Sequence, residues 1–244
     1  MNPLIVVTGA TKGIGRAVVE TFMTGGYDAV VCARSEEDLS RMSEELTELM
    51  ETLSDDPDER PKLHTLQADV SKRADLDRFV HFVHSLERPV DVLVNNAGVF
   101  LPGQIHNEAE GTLETQMETN LYSVYHLTRG LLSGMMERQR GHIFMMGSTA
   151  SITAYPNGGS YCISKFALMG LTKVLREELK PHGVKVTILL PGATLTNSWA
   201  GTNLPESRFM EAEDVASVIW SACHLSAGAV VEEILLRPQL GDIK

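Results

Sequence analysis

Leu4–Gly15 of this 244-residue chain is LIVVTGATKGIG. Leu4 to Val7 form a continuous apolar run, the pattern of a strand buried on both faces of a sheet. Gly9, Thr11, Lys12, Gly13, Ile14 and Gly15 then make a glycine-rich turn. Beyond it, Ile14, Ala17, Val18, Thr21 and Phe22 recur at helical spacing until Gly25-Gly26. A strand, a glycine-rich turn and a helix start together make a phosphate-binding arrangement. The glycines admit a ligand close to the backbone, and the helix N-terminus presents N–H groups and a partial positive charge. A mere tight turn is the competing reading. What favours nucleotide binding is the position of this unit at the first strand of an alternating pattern.

That alternation runs along the whole chain. Further strand-like runs occur at Ala29–Ala33, Leu63–Gln67, Val90–Val94, Ile143–Met146, Lys185–Leu190 and Glu233–Leu236. Helical patterns separate them: Glu36 to Leu53, about Ala74 to Leu86, about Leu113 to Gln139, a long one from Ser160, and one through Val215, Val218, Ile219 and Ala222. Strands alternating with helices predict an α/β fold, a single domain over 1–244 with one doubly wound parallel sheet of seven strands and helices on both faces. Ala193 to Met210 lacks a regular period and carries Trp199. A loop of that length predicts a substrate-binding loop at about 193–210.

The end of the second strand carries Arg34 and Ser35. NAD-binding domains of this type usually place an acid there for the ribose 2′-hydroxyl, whereas a guanidinium pairs with a 2′-phosphate. Lys12 is in reach of the same phosphate, so NADP(H) is the expected cofactor. Asp69 and Val70 follow the third strand, where they would meet an adenine edge; Asp69 serves equally well as a cap for the next helix. Asn95-Asn96-Ala97-Gly98 ends the fourth strand, at the crevice of an open parallel sheet.

The second deciding stretch is Gly141–Lys165, GHIFMMGSTASITAYPNGGSYCISK. Ser148 follows a buried strand. Tyr161 and Lys165 are four apart on a helix, which puts them on one face, about 5–6 Å apart at Cβ. A free tyrosine titrates near ~10, too high for an easy proton shuttle. An ammonium about 5 Å away favours the phenolate by roughly 3 kcal/mol at an effective dielectric near 20, so a pKa for Tyr161 well below the ordinary value is expected. With the Ser148 hydroxyl to polarise a carbonyl, the three make an acid–base site for a carbonyl/alcohol pair. Asn120 is an amide on the otherwise apolar face of the fourth long helix and must find partners inside.

The bulk properties narrow the partners. A net charge of −11 argues against nucleic acid and against anionic membrane surfaces. The three cysteines, Cys32, Cys162 and Cys223, are scattered and predict reduced thiols in a cytoplasmic protein. The N-terminus has no basic region ahead of an apolar segment, and no membrane-length apolar run occurs. His81 and His84 lack the companions a zinc site needs, so no metal is expected.

Taken together, TGATKGIG, NNAG, Asn120, Ser148, YCISK at Tyr161–Lys165 and Pro191-Gly192 resemble the short-chain dehydrogenase/reductase family over essentially the whole chain. The resemblance implies a Rossmann-type sheet in order 3-2-1-4-5-6-7, a nicotinamide cofactor, and a catalytic tetrad of Asn120, Ser148, Tyr161 and Lys165. It also implies that Tyr161 and Lys165 touch the cofactor, that Thr194 meets the nicotinamide after Pro191-Gly192, and that Asn120 positions a water. Homodimers or homotetramers built on the long helices around Asn120 and Tyr161 are implied as well. Within the family, SYCISKFAL and the tail Val231–Pro238 resemble bacterial sepiapterin-reductase-like members. An NADPH-dependent carbonyl reductase is therefore expected. A 3-oxoacyl-acyl-carrier-protein reductase is the alternative, and a non-catalytic NADP(H)-binding regulator is a third reading.

Overall fold

The computed structural model describes residues 1–196, 199 and 201–243. Part of the expected substrate loop, residues 197, 198 and 200, lies outside the described residues.

Seven strands form one sheet with every neighbouring pair parallel, in the order β3-β2-β1-β4-β5-β6-β7. They are β1 (Leu4–Thr8), β2 (Asp28–Ala33), β3 (Leu63–Gln67), β4 (Val92–Asn95), β5 (Gly141–Met146), β6 (Val184–Pro191) and β7 (Glu233–Leu236). Successive residues of a strand point to opposite faces, and β1 shows what that does here. Leu4 and Val6 join one apolar cluster with Phe79, Leu127, Met135 and Leu168. Ile5 and Val7 join a second with Phe22, Met42, Val215 and Ile219. The unbroken LIVV run exists because each face needs an apolar residue at every second position.

The helices divide accordingly. α1 (Gly13–Thr24), α2 (Glu36–Leu53) and α7 (Ala212–Cys223) cover one face. α3 (Arg73–Ser85), α5 (Ser123–Glu137) and α6 (Gly159–Leu179) cover the other. The chain winds outward from β1 through β2 to β3, then returns to β4 on the other side of β1. That reversal opens a crevice at the carboxyl ends of β1 and β4, where ligands bind in open α/β sheets. No helix among the described residues is long and apolar enough to cross a membrane.

The helix expected from Leu113 to Gln139 is not uniform. α4 (Thr112–Met117) passes through a π-helical turn at Glu118–Tyr122 before α5 begins. A π turn inserts one residue into the helical register and is frequent at functional sites. Here it carries Asn120, which is 1% exposed. Of the apolar residues on α6, Phe166 is exposed, whereas Met169 is buried in the core.

His142 on β5 is buried, and its Nε2 lies 2.7 Å from the Thr187 hydroxyl. Thr187 in turn donates to the Val231 carbonyl, so the ring is the neutral Nε2–H tautomer. Burial, reinforced by Lys185, pushes the His142 pKa down to about 3. An unfolded chain takes up that proton near pH ~6.5, well before the folded one does, so stability falls on acidification. Between about pH 7 and about pH 5.5 this one group removes roughly 1 kcal/mol. Urea denaturation at the two pH values is expected to show that loss, reduced by the same amount in His142→Asn.

Candidate active site

The glycine turn is built by close contacts between β1, α1 and β4. Gly9 has φ +65° and Gly13 φ +53°, the left-handed region that favours glycine. A Cβ on Gly9 would lie 2.9 Å from the Cα of Ala97, and one on Gly15 would run into the Gly9 carbonyl and come 2.5 Å from Asn96 Nδ2. The turn is held from the β4 side. Thr8 Oγ1 accepts from the backbone N–H of Asn96 (3.1 Å) and Ala97 (3.0 Å). The Asn96 side-chain amide donates to the carbonyls of Thr8 (2.9 Å) and Gly9 (3.0 Å). Asn96, expected at the cofactor, therefore spends its amide on bracing the turn. Thr8 was not singled out in the sequence, although its place at the strand end beside Gly9 was the available signal.

Lys12, at the N-cap of α1, makes no side-chain cap hydrogen bond, and the first turn holds no acid. The helix start, with no acid in its first turn, and the left-handed glycines that keep the turn tight fit the phosphates of a dinucleotide. At the end of β2, Arg34 is exposed, and the Ser35 hydroxyl accepts from Asp38 N–H at 3.1 Å to start α2. Lys12 differs from expectation, because its ammonium pairs with Asp38 at 2.7 Å. Asp38 also holds Arg41, and Lys12 and Arg41 together keep its carboxyl below the usual carboxylate range. Lys12 is thus linked through Asp38 to Ser35, the neighbour of Arg34, and bears an anionic partner.

Other expected cofactor residues lie along the same edge. Asp69 accepts from the backbone and hydroxyl of Ser71, and Val70 is buried beside it. Gly192 follows β6, donates its N–H to Leu236 at 2.8 Å, and abuts Pro238. Thr194 is buried, donates to the Gly192 carbonyl at 3.2 Å, and bridges to Met210. That bridge, with Met210 N–H to Ala193 and Leu195 N–H to Met210, pinches the base of the 193–210 loop.

The four expected catalytic residues converge. Ser148 follows β5 and starts a 3₁₀ turn; its Oγ accepts from Ala150 N–H at 3.1 Å, and its hydroxyl faces the Tyr161 phenol closely enough to lower the phenol's pKa. Lys165 is buried, donates to the Met146 carbonyl at 2.7 Å, and lies 5.7 Å from the Tyr161 ring centroid. Asn120 Oδ1 accepts from Val99 N–H at 2.8 Å, while its Nδ2 donates to Val99 O at 2.9 Å and Ser164 Oγ at 3.0 Å. Both amide hydrogens are therefore taken, leaving one Oδ1 lone pair for a water. Gly98 seats the NNAG loop among these groups, since a Cβ there would lie 3.3 Å from Asn120 Oδ1 and 3.7 Å from Lys165 Nζ.

The electrostatics correct one expectation. Burial pushes the Tyr161 phenol above the ordinary tyrosine value, and the Ser148 hydrogen bond offsets this in part. The Coulomb argument from Lys165 alone omitted that desolvation. Burial also pushes the Lys165 ammonium down to about 8.

Three contributors were missed. Phe100 packs edge-on against Tyr161, with ring centroids 4.8 Å apart. Ser164 links Asn120 to Tyr161 by donating to the Tyr161 carbonyl at 2.8 Å; its i+3 spacing from Tyr161 was the available signal. Glu108 binds the start of α6, and nothing local in the sequence announces it.

A parallel sheet with a glycine crevice beside a Ser–Tyr–Lys cluster defines a nucleotide-dependent oxidoreductase acting at a carbonyl or alcohol carbon. The family model for short chain dehydrogenases matches residues 3–207, and the chain belongs to that family. It is 33% identical to a sepiapterin reductase of Chlorobaculum tepidum, covering 100% of this chain and 99% of that protein. It is 29% identical to the NADP-dependent 3-hydroxy acid dehydrogenase YdfG of Salmonella typhi, over 96% and 94% of the two. Among solved structures, an alcohol dehydrogenase from Thermococcus sibiricus complexed with 5-hydroxy-NADP superposes with a TM-score of 0.89 at 25% identity, covering all of both chains.

Proposed function

We propose that this protein is an NADPH-dependent carbonyl reductase of sepiapterin-reductase-like specificity, working as a homodimer or homotetramer. The observation that carries the reading is the convergence of Ser148, Tyr161 and buried Lys165 with Asn120 beside Gly98, the end of the loop that packs on the glycine turn. Gly9–Gly15, Arg34, Ser35, Asp69, Val70, Ala97, Gly98 and Pro191–Thr194 would hold NADPH, which would supply the hydride. Ser148 Oγ accepts from Ala150, and its hydroxyl, which faces the Tyr161 oxygen, donates to a substrate carbonyl oxygen placed between the two. Tyr161 delivers a proton to the same oxygen. Its raised pKa keeps the phenol protonated at neutral pH, the form a proton donor needs. Lys165 places a positive charge beside the phenolate left behind. Asn120 braces Val99, and so the loop carrying Phe100, against Ser164 of the catalytic helix. The partly exposed ring of Phe100 against Tyr161 and the full-length likeness to a sepiapterin reductase support a substrate with a flat, ring-bearing body. The loop at 193–210, with Trp199, would shape the pocket around it.

NADPH consumption by the purified protein is the test, measured on sepiapterin, a vicinal diketone, an aromatic aldehyde and a 3-oxoacyl thioester. Turnover of sepiapterin above the others supports the proposal, and preference for the thioester favours the acyl-carrier-protein reductase instead. NADPH binding without turnover of any carbonyl would make the chain a regulator. For the cofactor, Arg34→Asp is expected to weaken NADPH binding by roughly tenfold or more while sparing NADH, the loss of one charge-assisted contact. Fluorescence titration of both nucleotides checks this, and equal effects on the two would remove Arg34 from the 2′-phosphate site.

A further inference from the structure

α6 begins at Gly158-Gly159, which supply no side chain to its first N–H groups, and its first turn contains no acid. Glu108, 52 residues earlier in the chain, fills that role. Its Oε1 accepts the Ser160 N–H at 2.8 Å and its Oε2 accepts the Ser160 hydroxyl. A carboxylate on a first-turn N–H replaces an N-cap side chain and complements the helix dipole. The niche is shaped for it. A Cβ on Gly103 would lie 2.5 Å from Glu108 Cγ, and one on Gly159 would overlap Glu108 Oε1. Further ties fasten the same two segments: Gly103 N–H to Asn157 O at 3.0 Å, and Gln104 Nε2 to Asn157 Oδ1 at 3.0 Å. Asn157 adopts a left-handed φ of +63° to make them.

The residue gripped by Glu108 is the immediate neighbour of Tyr161. The loop that carries Glu108 also carries Phe100, whose ring lies against Tyr161. We propose that Glu108 is the positioning residue for Tyr161: its carboxylate fixes the first turn of the catalytic helix, and with it the phenol, against the loop that lines the site. This rests on the reading of Tyr161 as the proton donor. Glu108 itself touches none of Ser148, Tyr161 or Lys165 through a hydrogen bond, so its effect passes through Ser160.

The test compares wild type, Glu108→Gln, Glu108→Ala, Ser160→Ala and Tyr161→Phe. Displacing a reacting group by about 1 Å costs up to ~100-fold in rate. Glu108→Gln is therefore expected to lower kcat by roughly tenfold or more, with KM for sepiapterin and the fluorescence Kd for NADPH near wild type. Ser160→Ala keeps the backbone arm and loses less. A second readout needs no substrate: tyrosine labelled with ¹³C at Cζ, with the Tyr161 resonance assigned by its absence in Tyr161→Phe. In Glu108→Gln that resonance should move, while those of Tyr27, Tyr122 and Tyr125 hold. A wild-type kcat with an unmoved Tyr161 resonance overturns the inference. So does a rise in KM alone, which would make Glu108 part of the substrate entrance, or a lower Tm with an unmoved resonance. Should Glu108→Ala fail to fold, the near-isosteric Glu108→Gln decides. If Tyr161→Phe turns over like wild type, the reading of the active site falls, a result distinct from failure of the Glu108 inference.

Discussion

Tyr161→Phe is expected to bind NADPH as the wild type does and to lose carbonyl reduction by roughly 10²–10⁴-fold, the span of a general acid's contribution. The substitution removes one oxygen and leaves the ring, so the edge-on contact with Phe100 and the packing of α6 persist. What disappears is the proton that must reach the carbonyl oxygen as hydride arrives, together with the oxygen that Ser148 faces. A merely structural tyrosine would give the opposite pattern, lower stability with turnover retained, so thermal denaturation and steady-state kinetics on one preparation separate the two. The pH dependence adds a constraint. The phenol is held above the ordinary tyrosine value, so its own ionisation does not limit activity near neutrality. Lys165 is pushed down to about 8, and below that pH it carries the charge that stabilises the phenolate. Reduction should therefore weaken as pH rises through about 8, with the alkaline limb belonging to Lys165.

How much of this was legible depended on whether the determining interactions are local. The LIVVTGATKGIG unit carries its own evidence, because apolar runs, glycines and helical spacing report on backbone geometry within a dozen residues. The parallel sheet followed from alternation and the pairing of Tyr161 with Lys165 from i, i+4 spacing, whereas the strand order came from the family resemblance and the place of Ser148 from its position at the end of a buried strand. The losses came from partners far apart in the chain. Nothing around Lys12 predicts that Asp38 on α2 takes its charge. Nothing around Asn96 predicts that its amide turns back to Thr8 and Gly9 rather than outward. The π turn at Asn120 has no residue signature, because the partners that occupy the amide belong to the Val99 loop and to α6. The Tyr161 pKa failed for a different reason: a pairwise Coulomb sum is available from spacing, whereas burial is a property of the whole fold.

The glycine turn should prove equally sensitive to a single methyl group. Gly15→Ala places a Cβ against the Gly9 carbonyl and 2.5 Å from Asn96 Nδ2. Neither neighbour can yield cheaply. The carbonyl is backbone in a residue held at φ +65°, and the amide is tied to both Thr8 and Gly9. Relief requires α1 to move off β1 or the Asn96 brace to break, and either change opens the phosphate niche. Overpacking of this kind costs about 1–3 kcal/mol, and NADPH affinity should fall by more than tenfold because the helix start is no longer held against the turn. The position, rather than the loss of a glycine, is what matters. Gly134→Ala in α5, where an added Cβ meets nothing within 4 Å, should leave NADPH binding intact and raise stability by up to about 1 kcal/mol through helix propensity. Thermal melts with and without NADPH on the two variants check both halves. A Gly15→Ala protein that still gained wild-type thermal protection from NADPH would show that α1 and the turn can separate without harm, and the cofactor assignment built on their contact would have to be withdrawn.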